Sequence, residues 1–293
     1  MPANLPHPGG GQSWHKGAEE MNAERLQRIR NFQSQDFYPA LVIRPITIAV
    51  MVVVADWKFL TPNRLTTVAN LLKLGGAWLI LHPAQWIWAI VLLQLGLLFD
   101  HLDGTLARYR RTFTKLGSFY DKVSDMVFWG VIMMAAGWQV YEDTGRGYFL
   151  LLAAGAAFAL NVCGYMKWLV QAETERIRWL EARRDPAAVV VHHTAPIVIP
   201  PPPRRTRREW WMWFRARLWR IWIFDEMDLW LWISLALLIE RLDWGLWLMF
   251  ATQATSMVVA LIKRTLQMMD ADRRIRELED EDRPLVVERR RAS

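Results

Sequence analysis

The sequence predicts an all-α integral membrane protein, a six-transmembrane-helix bundle preceded by an interfacial juxtamembrane helix. Three observations lead there. The hydrophobic share, 53%, is high for a soluble protein, and it gathers in segments apolar enough to span a bilayer. The chain carries 18 tryptophans, a residue that concentrates at membrane–water interfaces. Basic residues also sort to one side. The turns after the first, third and fifth spans hold chiefly Arg146 and Arg241. The opposite side holds Arg108, Arg110, Arg111, Lys115, the arginine-rich stretch 176–220 and a tail from Lys263 through Arg291. Positive residues stay inside, so both termini are expected in the cytoplasm.

Residues 1–36 form a polar tail. Its first part, rich in Pro, Gly and His, reads as disordered, and 21–36 could form a polar helix. His7, His15, Glu19 and Glu20 could bind a metal, though a floppy tail accounts for them. From 37 to 60 the chain is apolar but interrupted. Its longest clean run, Ile46 to Ala55, is ten residues, about 15 Å of helix and half a bilayer core. Arg44 and Pro45 precede that run, and Asp56 and Lys58 follow it. The segment reads as a helix lying along the membrane surface, with a short, tilted seventh span as the alternative.

Residues 61–170 hold spans one to four. Thr61, Pro62 and Asn63 signal a helix start, and the first span runs from about Arg64 to Leu81. His82 and Pro83 make a tight turn. The second span runs from Trp86 to about Ala107, the third from Gly117 to Val140 and the fourth from Tyr148 to about Val170. Residues 171–225 form a cytoplasmic insertion rich in Arg, Pro and Trp. Gln171 to Arg184 should continue as helix out of the membrane, and Pro186 to Pro203 should be extended or disordered. His192 and His193 there read as solvated loop. Arg207 to Phe224 interleaves tryptophans with arginines, which can bind nucleic acid; beside a span, an interfacial helix is the simpler reading. Residues 226–266 hold span five (Leu229 to Ile239, short enough to need Phe224 to Trp230 as well) and span six (Trp244 to Ile262). Residues 267–293 are a charged cytoplasmic tail.

The net charge of +7 invites a nucleic-acid partner. The basic residues flank apolar spans, however, where anionic membrane lipids are the simpler partner, and no nucleic-acid-binding motif is visible. The single Cys163 cannot form an intrachain disulfide. No charged-then-apolar leader opens the chain, which suits a bacterial inner (cytoplasmic) membrane.

The chemistry lies between Asp100 and Asp125. The stretch reads Asp100, His101, Leu102, Asp103, Gly104, Thr105, Leu106, Ala107, Arg108, followed by Gly117, Asp121 and Asp125. Carboxylates near a membrane are costly and rare, so four on two adjacent helices need a reason, and a divalent cation pair is the cheapest. Residues three or four apart share a helix face. Asp100 and Asp103 thus share one face and Asp121 and Asp125 another, and the short polar connection sets the two helices side by side. Hard oxygen ligands suit magnesium, manganese or calcium. Gly104 and Ala107 lack bulk where a nucleotide would approach the backbone. Arg108 offers a planar fork to a phosphate, or anchors the helix end at lipid headgroups.

The spacing D-x2-D-G-x2-A-R-x8-G-x3-D-x3-D resembles the signature of the CDP-alcohol phosphotransferase (CDP-alcohol phosphatidyltransferase) family, with every fixed position present. The resemblance implies a membrane enzyme that moves a phosphate-bearing group from a CDP-linked donor to an alcohol and releases CMP. It implies a binuclear magnesium or manganese site on Asp100, Asp103, Asp121 and Asp125, with Asp125 as general base. It implies donor contacts from Asp103, Gly104, Ala107, Arg108 and Gly117, and a homodimer. Lys167, Arg176, Lys263 and Arg264, at cytoplasmic ends of spans, could hold a phosphorylated acceptor or serve only as positive-inside anchors. The expected reaction moves a phosphatidyl group from CDP-diacylglycerol to a small polar alcohol. Two alternatives are a CDP-choline or CDP-ethanolamine donor with diacylglycerol as acceptor, and a divalent-cation transport path lined by the aspartates.

Overall fold

The computed structural model describes residues 23–30, 38–112, 114–184, 206–218 and 228–291, and no strand occurs among them. The helices are α1 (23–30), α2 (Pro39–Val54, its start Pro39–Ile43 wound as π-helix), α3 (Pro62–Ile80), α4 (Trp86–Arg110), α5 (Lys115–Thr144), α6 (Tyr148–Arg184), α7 (Arg207–Leu218), α8 (Leu229–Leu238) and α9 (Leu242–Arg291). The all-helical expectation holds for these residues. Four segments are long and apolar enough to cross a membrane: Pro83–Arg110, Lys115–Thr144, Tyr148–Arg183 and Leu242–Leu278.

The other two expected spans fall short of that measure for different reasons. α3 is 19 residues long, about 28 Å of helix, but carries Arg64, Asn70 and Lys73. α8 is wholly apolar but only ten residues long, about 15 Å. The run that would lengthen it, Phe224 to Met227, lies outside the described residues.

Local sequence sets the ends of these helices. Thr61 caps α3 by accepting from the Arg64 amide, with Pro62 at the first helical position, where its missing N–H costs nothing. Thr114 caps α5 by accepting from the Gly117 amide at 2.9 Å. α5 closes on Gly145 at φ 68°, a left-handed position where glycine carries no Cβ penalty.

α3 and α4 form a tight hairpin, and α5 packs on α3. α6 follows α5, α9 packs along α6, and α8 wedges between α4 and α9. The main core lies where these meet, with Leu93, Leu97, Ile132, Met133, Ile233, Leu246 and Met249 buried. Trp129 and Trp230 touch inside it, ring centroids 4.6 Å apart. Gln94, polar in an apolar helix, explains the seating of α8: its amide donates to the Trp230 carbonyl and the Ser234 hydroxyl. It also accepts from the Tyr38 hydroxyl, and the Tyr38 amide donates to Asp228. The start of α2 is thereby tied to the start of α8.

α2 lies along α4, burying Ile43, Thr47, Met51 and Ala55 at helical spacing and leaving Ile46, Val52 and Val53 exposed. The polar helix expected before it is present as α1, whose Ile29 is buried with Met51 and Leu102. Arg25 ties α1 to Asp56 with bonds of 2.7 and 3.0 Å, and the Tyr109 hydroxyl donates to the same carboxylate.

α6 and α9 run 37 and 50 residues, well beyond the roughly 20 a span needs. The extension expected at Gln171 to Arg184 is unbroken helix. The charged tail expected after 266 begins as a continuation of α9. Ala271, Ile275 and Leu278 are buried, and Arg274 bonds to Glu181 of α6 at 3.1 Å. An apolar residue every three or four positions within a charged run gives the tail a face to bury. α7 opens with a capping box in which Thr206 and Glu209 bond reciprocally, and Trp210 and Trp211 are exposed on it. The remainder of the expected helix to Phe224, the proline-rich run 186–203 and the first 22 residues lie outside the described residues.

Two predictions follow from this packing. A Cβ on Gly137 would come within 2.5 Å of Ala153 Cβ and 3.2 Å of the Phe149 carbonyl. Gly137→Leu should therefore destabilise the α5–α6 contact by about 1–3 kcal/mol through overpacking, read as a lower melting temperature in detergent. An unchanged melt would show that the two helices do not cross that closely. The second concerns pH. The Tyr109 hydroxyl, then Arg25 and Arg110, hold the Asp56 carboxyl below its ordinary range. A depressed carboxyl stabilises the fold above its unfolded value, near 3.9, and loses that contribution as pH falls through its folded value. Hydrogen-exchange protection of residues 23–30 should be flat from pH 8 to 5 and fall below about 4. Protection lost between pH 8 and 6 would contradict this.

Candidate active site

α4 brings Asp100 and Asp103 to its C-terminal turns, and α5 brings Asp121 and Asp125 to its N-terminal ones. The connection turns on Arg111 at φ 55° and ends at the Thr114 cap. One carboxylate oxygen each from Asp100, Asp103 and Asp121 lies within 4.8 Å of the others. Asp100 and Asp103 are buried and Asp121 half-buried. Three hard oxygen donors so close, largely out of water, fit a divalent ion of the magnesium or manganese kind.

Asp125 stands outside that trio and is reached differently. Lys73, from α3, donates to Asp100 Oδ1 at 2.9 Å and to Asp125 Oδ1 at 2.7 Å. It joins the first aspartate to the last. α3 supplies a second contact, because the Thr66 hydroxyl donates to Asp103 Oδ2. The same hydroxyl lies 3.1 Å from the Pro62 carbonyl. It has one proton, and the charged acceptor is the stronger partner. Asn70 donates to the Tyr120 hydroxyl across the α3–α5 contact.

Sequence reasoning missed this α3 face. Thr66, Asn70 and Lys73 recur at spacings of four and three, a polar stripe on a helix otherwise read as an apolar span. The signal was there: an ionisable side chain inside an apolar segment marks a functional position by default, with its partner to be named.

The small and basic members of the signature have local reasons too. A Cβ on Gly104 would lie 3.4 Å from both terminal nitrogens of Arg108, so the guanidinium folds over that glycine. Arg108 donates to the Thr105 hydroxyl at 3.3 Å and lies within electrostatic reach of Asp103 and Asp121. Ala107 is half-buried on the same turn. Gly117 sits in the first turn of α5, where a Cβ would meet Thr114 Oγ1 at 2.9 Å and Asn63 Oδ1 at 3.2 Å. Close approach of the α3 and α5 starts is sufficient reason for it.

The four basic residues considered for an acceptor lie on α6 and α9. Lys167, Arg176 and Lys263 are exposed and Arg264 half-buried. Arg176 pairs with Glu173 and Arg264 with Gln267, each along its own helix. Arg110 holds the approach to α3 in place, donating to the carbonyls of Ala55, Trp57 and Leu60.

Comparison with known proteins agrees with the signature. Residues 59–179 match the family model described as CDP-alcohol phosphatidyltransferase, a range that contains α3–α5, most of α6 and all four aspartates. The chain is 39% identical over 108 residues to the phosphatidylinositol phosphate synthase of Corynebacterium glutamicum, covering 36% of this chain and 49% of that protein. It is 34% identical over 118 residues to the inner membrane protein YnjF of Escherichia coli, covering 36% of this chain and 56% of that one. The chain thus spans about half the length of the curated relatives it matches.

Replacing the aspartates singly should separate two roles. Asp100→Asn should abolish binding of Mn2+ measured by equilibrium titration, because it removes one of three clustered donors. Asp125→Asn should retain Mn2+ binding and donor binding while turnover falls about 100- to 10,000-fold, the range for loss of a general base. Wild-type turnover in Asp125→Asn would sink the role given to that residue.

Proposed function

We propose that this protein is a phosphatidyltransferase of phospholipid synthesis, moving a phosphatidyl group from CDP-diacylglycerol to a small polar alcohol and releasing CMP. The observation that carries the reading is the convergence of Asp100, Asp103 and Asp121 within 4.8 Å, inside the segment that matches the family. These three would hold magnesium or manganese, which when bound stabilises charge developing on the phosphate and the departing CMP. Asp125, one helical turn beyond Asp121, accepts the proton of the acceptor hydroxyl. The hydroxyl oxygen bonds to the phosphorus that bears the lipid, and the bond from that phosphorus to CMP breaks.

Gly104, Ala107 and Arg108 face the nucleotide, the first two by lacking bulk and the third by offering its guanidinium to phosphate. The lipid tails stay in the bilayer beside α5 and α6, where Met126, Val127, Gly130, Val131, Met134 and Asn161 line an open, mostly apolar groove. Lys167, Arg176, Lys263 and Arg264 give an anionic acceptor its counter-charge. The relative named phosphatidylinositol phosphate synthase makes an inositol phosphate the first acceptor to try. The bundle is completed to six spans by α3 and α8, while α2 and α7 lie along the membrane surface against anionic lipids. The site and both termini face the cytoplasm of a bacterial inner membrane, and two copies pair.

Purified protein with CDP-diacylglycerol, Mg2+ and a panel of alcohols headed by inositol phosphate should release CMP and form the corresponding phosphatidyl product. Consumption of CDP-choline with diacylglycerol, and none of CDP-diacylglycerol with any alcohol, would reverse donor and acceptor. Transport of Mn2+ into liposomes without CMP release would replace the enzyme by a transporter.

A further inference from the structure

We infer that the Lys73 ammonium fills the second cation position of this site, so that its carboxylates bind one divalent ion rather than a pair. The inference rests on the metal-dependent reading above and deepens it. The geometry is specific. Lys73 Nζ lies 2.9 Å from Asp100 Oδ1 and 2.7 Å from Asp125 Oδ1, while the trio able to share an ion is Asp100, Asp103 and Asp121. A second ion linking the first and last aspartates would need oxygens at about 2 Å. It would have to bind the same two carboxylates that the ammonium already holds, each through one oxygen. The two cations would then overlap or repel at contact distance.

The lysine is built into this place. Its side chain is 1% exposed. Its stem runs along α4 at Gly96, where a Cβ would come within 3.0 Å of Lys73 Cγ and 3.3 Å of the Ala69 carbonyl. Its ammonium lies 5.3 Å from the centre of the Trp230 ring, within range for a cation over an aromatic face. Trp230 is itself buried against Trp129. Withdrawing the ammonium would leave a charge in an apolar core and two carboxylates short of a partner, which is strongly unfavourable.

Lys73 is in this sense a positioning residue. It fixes the Asp125 carboxylate from α3 without an exchangeable ion, so the orientation of the base does not depend on metal loading.

The test counts ions on the full-length protein in detergent, with Mn2+ alone as probe. Wild type should bind one Mn2+ per chain and give the spectrum of an isolated ion in electron paramagnetic resonance. Two Mn2+ per chain with the signature of a coupled pair, as expected for ions about 4 Å apart, would overturn the inference, as would no binding. Folded Lys73→Met should gain a second, coupled ion, a change that a merely structural lysine would not produce. If it still takes one, something else limits the count and the inference fails. Should Lys73→Met not fold, the wild-type count decides alone. CMP release from CDP-diacylglycerol is followed on the same preparation. Release with two ions bound removes this inference and leaves the phosphatidyltransferase reading; one ion without release under any alcohol removes that reading and leaves the count.

Discussion

A lysine ammonium held between two aspartates, among apolar helices, is the interaction on which the arrangement of the bundle turns. Removing one partner of a buried ion pair typically costs about 3–5 kcal/mol, because the survivor is left charged and uncompensated. Lys73, Asp100 and Asp125 come from α3, α4 and α5. A change in the spacing of any two of these helices would therefore strand a charge. The close α3–α4 approach at Gly96 follows from that demand, since the lysine stem must pass between the helices. So does the seating of α8, which presents Trp230 to the ammonium and is held to α4 by Gln94. Apolar burial alone, being non-directional, would not choose this register.

The ends of the helices are fixed by backbone chemistry around the same point. α4 ends where Arg110 donates to carbonyls of the α2–α3 turn, which also sets the start of α3 at the Thr61 cap. Thr66 on the first turns of α3 then meets Asp103. α5 starts at its Thr114 cap, against Asn63, through a glycine that admits no side chain. Each carboxylate is thus carried on a helix whose end is pinned within about three turns of it. Placement to within a few tenths of an ångström is what a metal or phosphate site asks of its supports.

The sequence made the carboxylate side of the site legible because it is local: four aspartates, two glycines, an alanine and an arginine at fixed gaps on one stretch of chain. Helix starts were legible for the same reason, at Thr61–Pro62 and at Trp86. The α3 side was not. Lys73 is separated from Asp100 by 27 residues and from Asp125 by 52, and only packing brings them together. Read along the chain it was one charge inside an apolar span. Read as a membrane residue it required an anion, and the nearest aspartates on adjacent helices were the available ones. The extension of α6 was legible as helix at Gln171 to Arg184, whereas the tail after 266 read only as charged; Ala271, Ile275 and Leu278 give the α9 extension a face to bury, and Glu181 meets Arg274 from α6.

The matched segment, residues 59–179, holds every carboxylate and the lysine, yet it does not enclose the site. Trp230, beneath the ammonium, comes from α8, and the Ile233 and Leu237 packing that holds it lies beyond the match. On the other side, α2 covers α4 through Met51 and Ala55, outside the match as well. A polar centre in an apolar bundle needs a low-dielectric wall on each side, because water admitted near the ammonium would weaken its hold on both aspartates. The similarity thus accounts for the clustered carboxylates, and the helices outside it account for the dry surroundings in which one lysine bridges two of them.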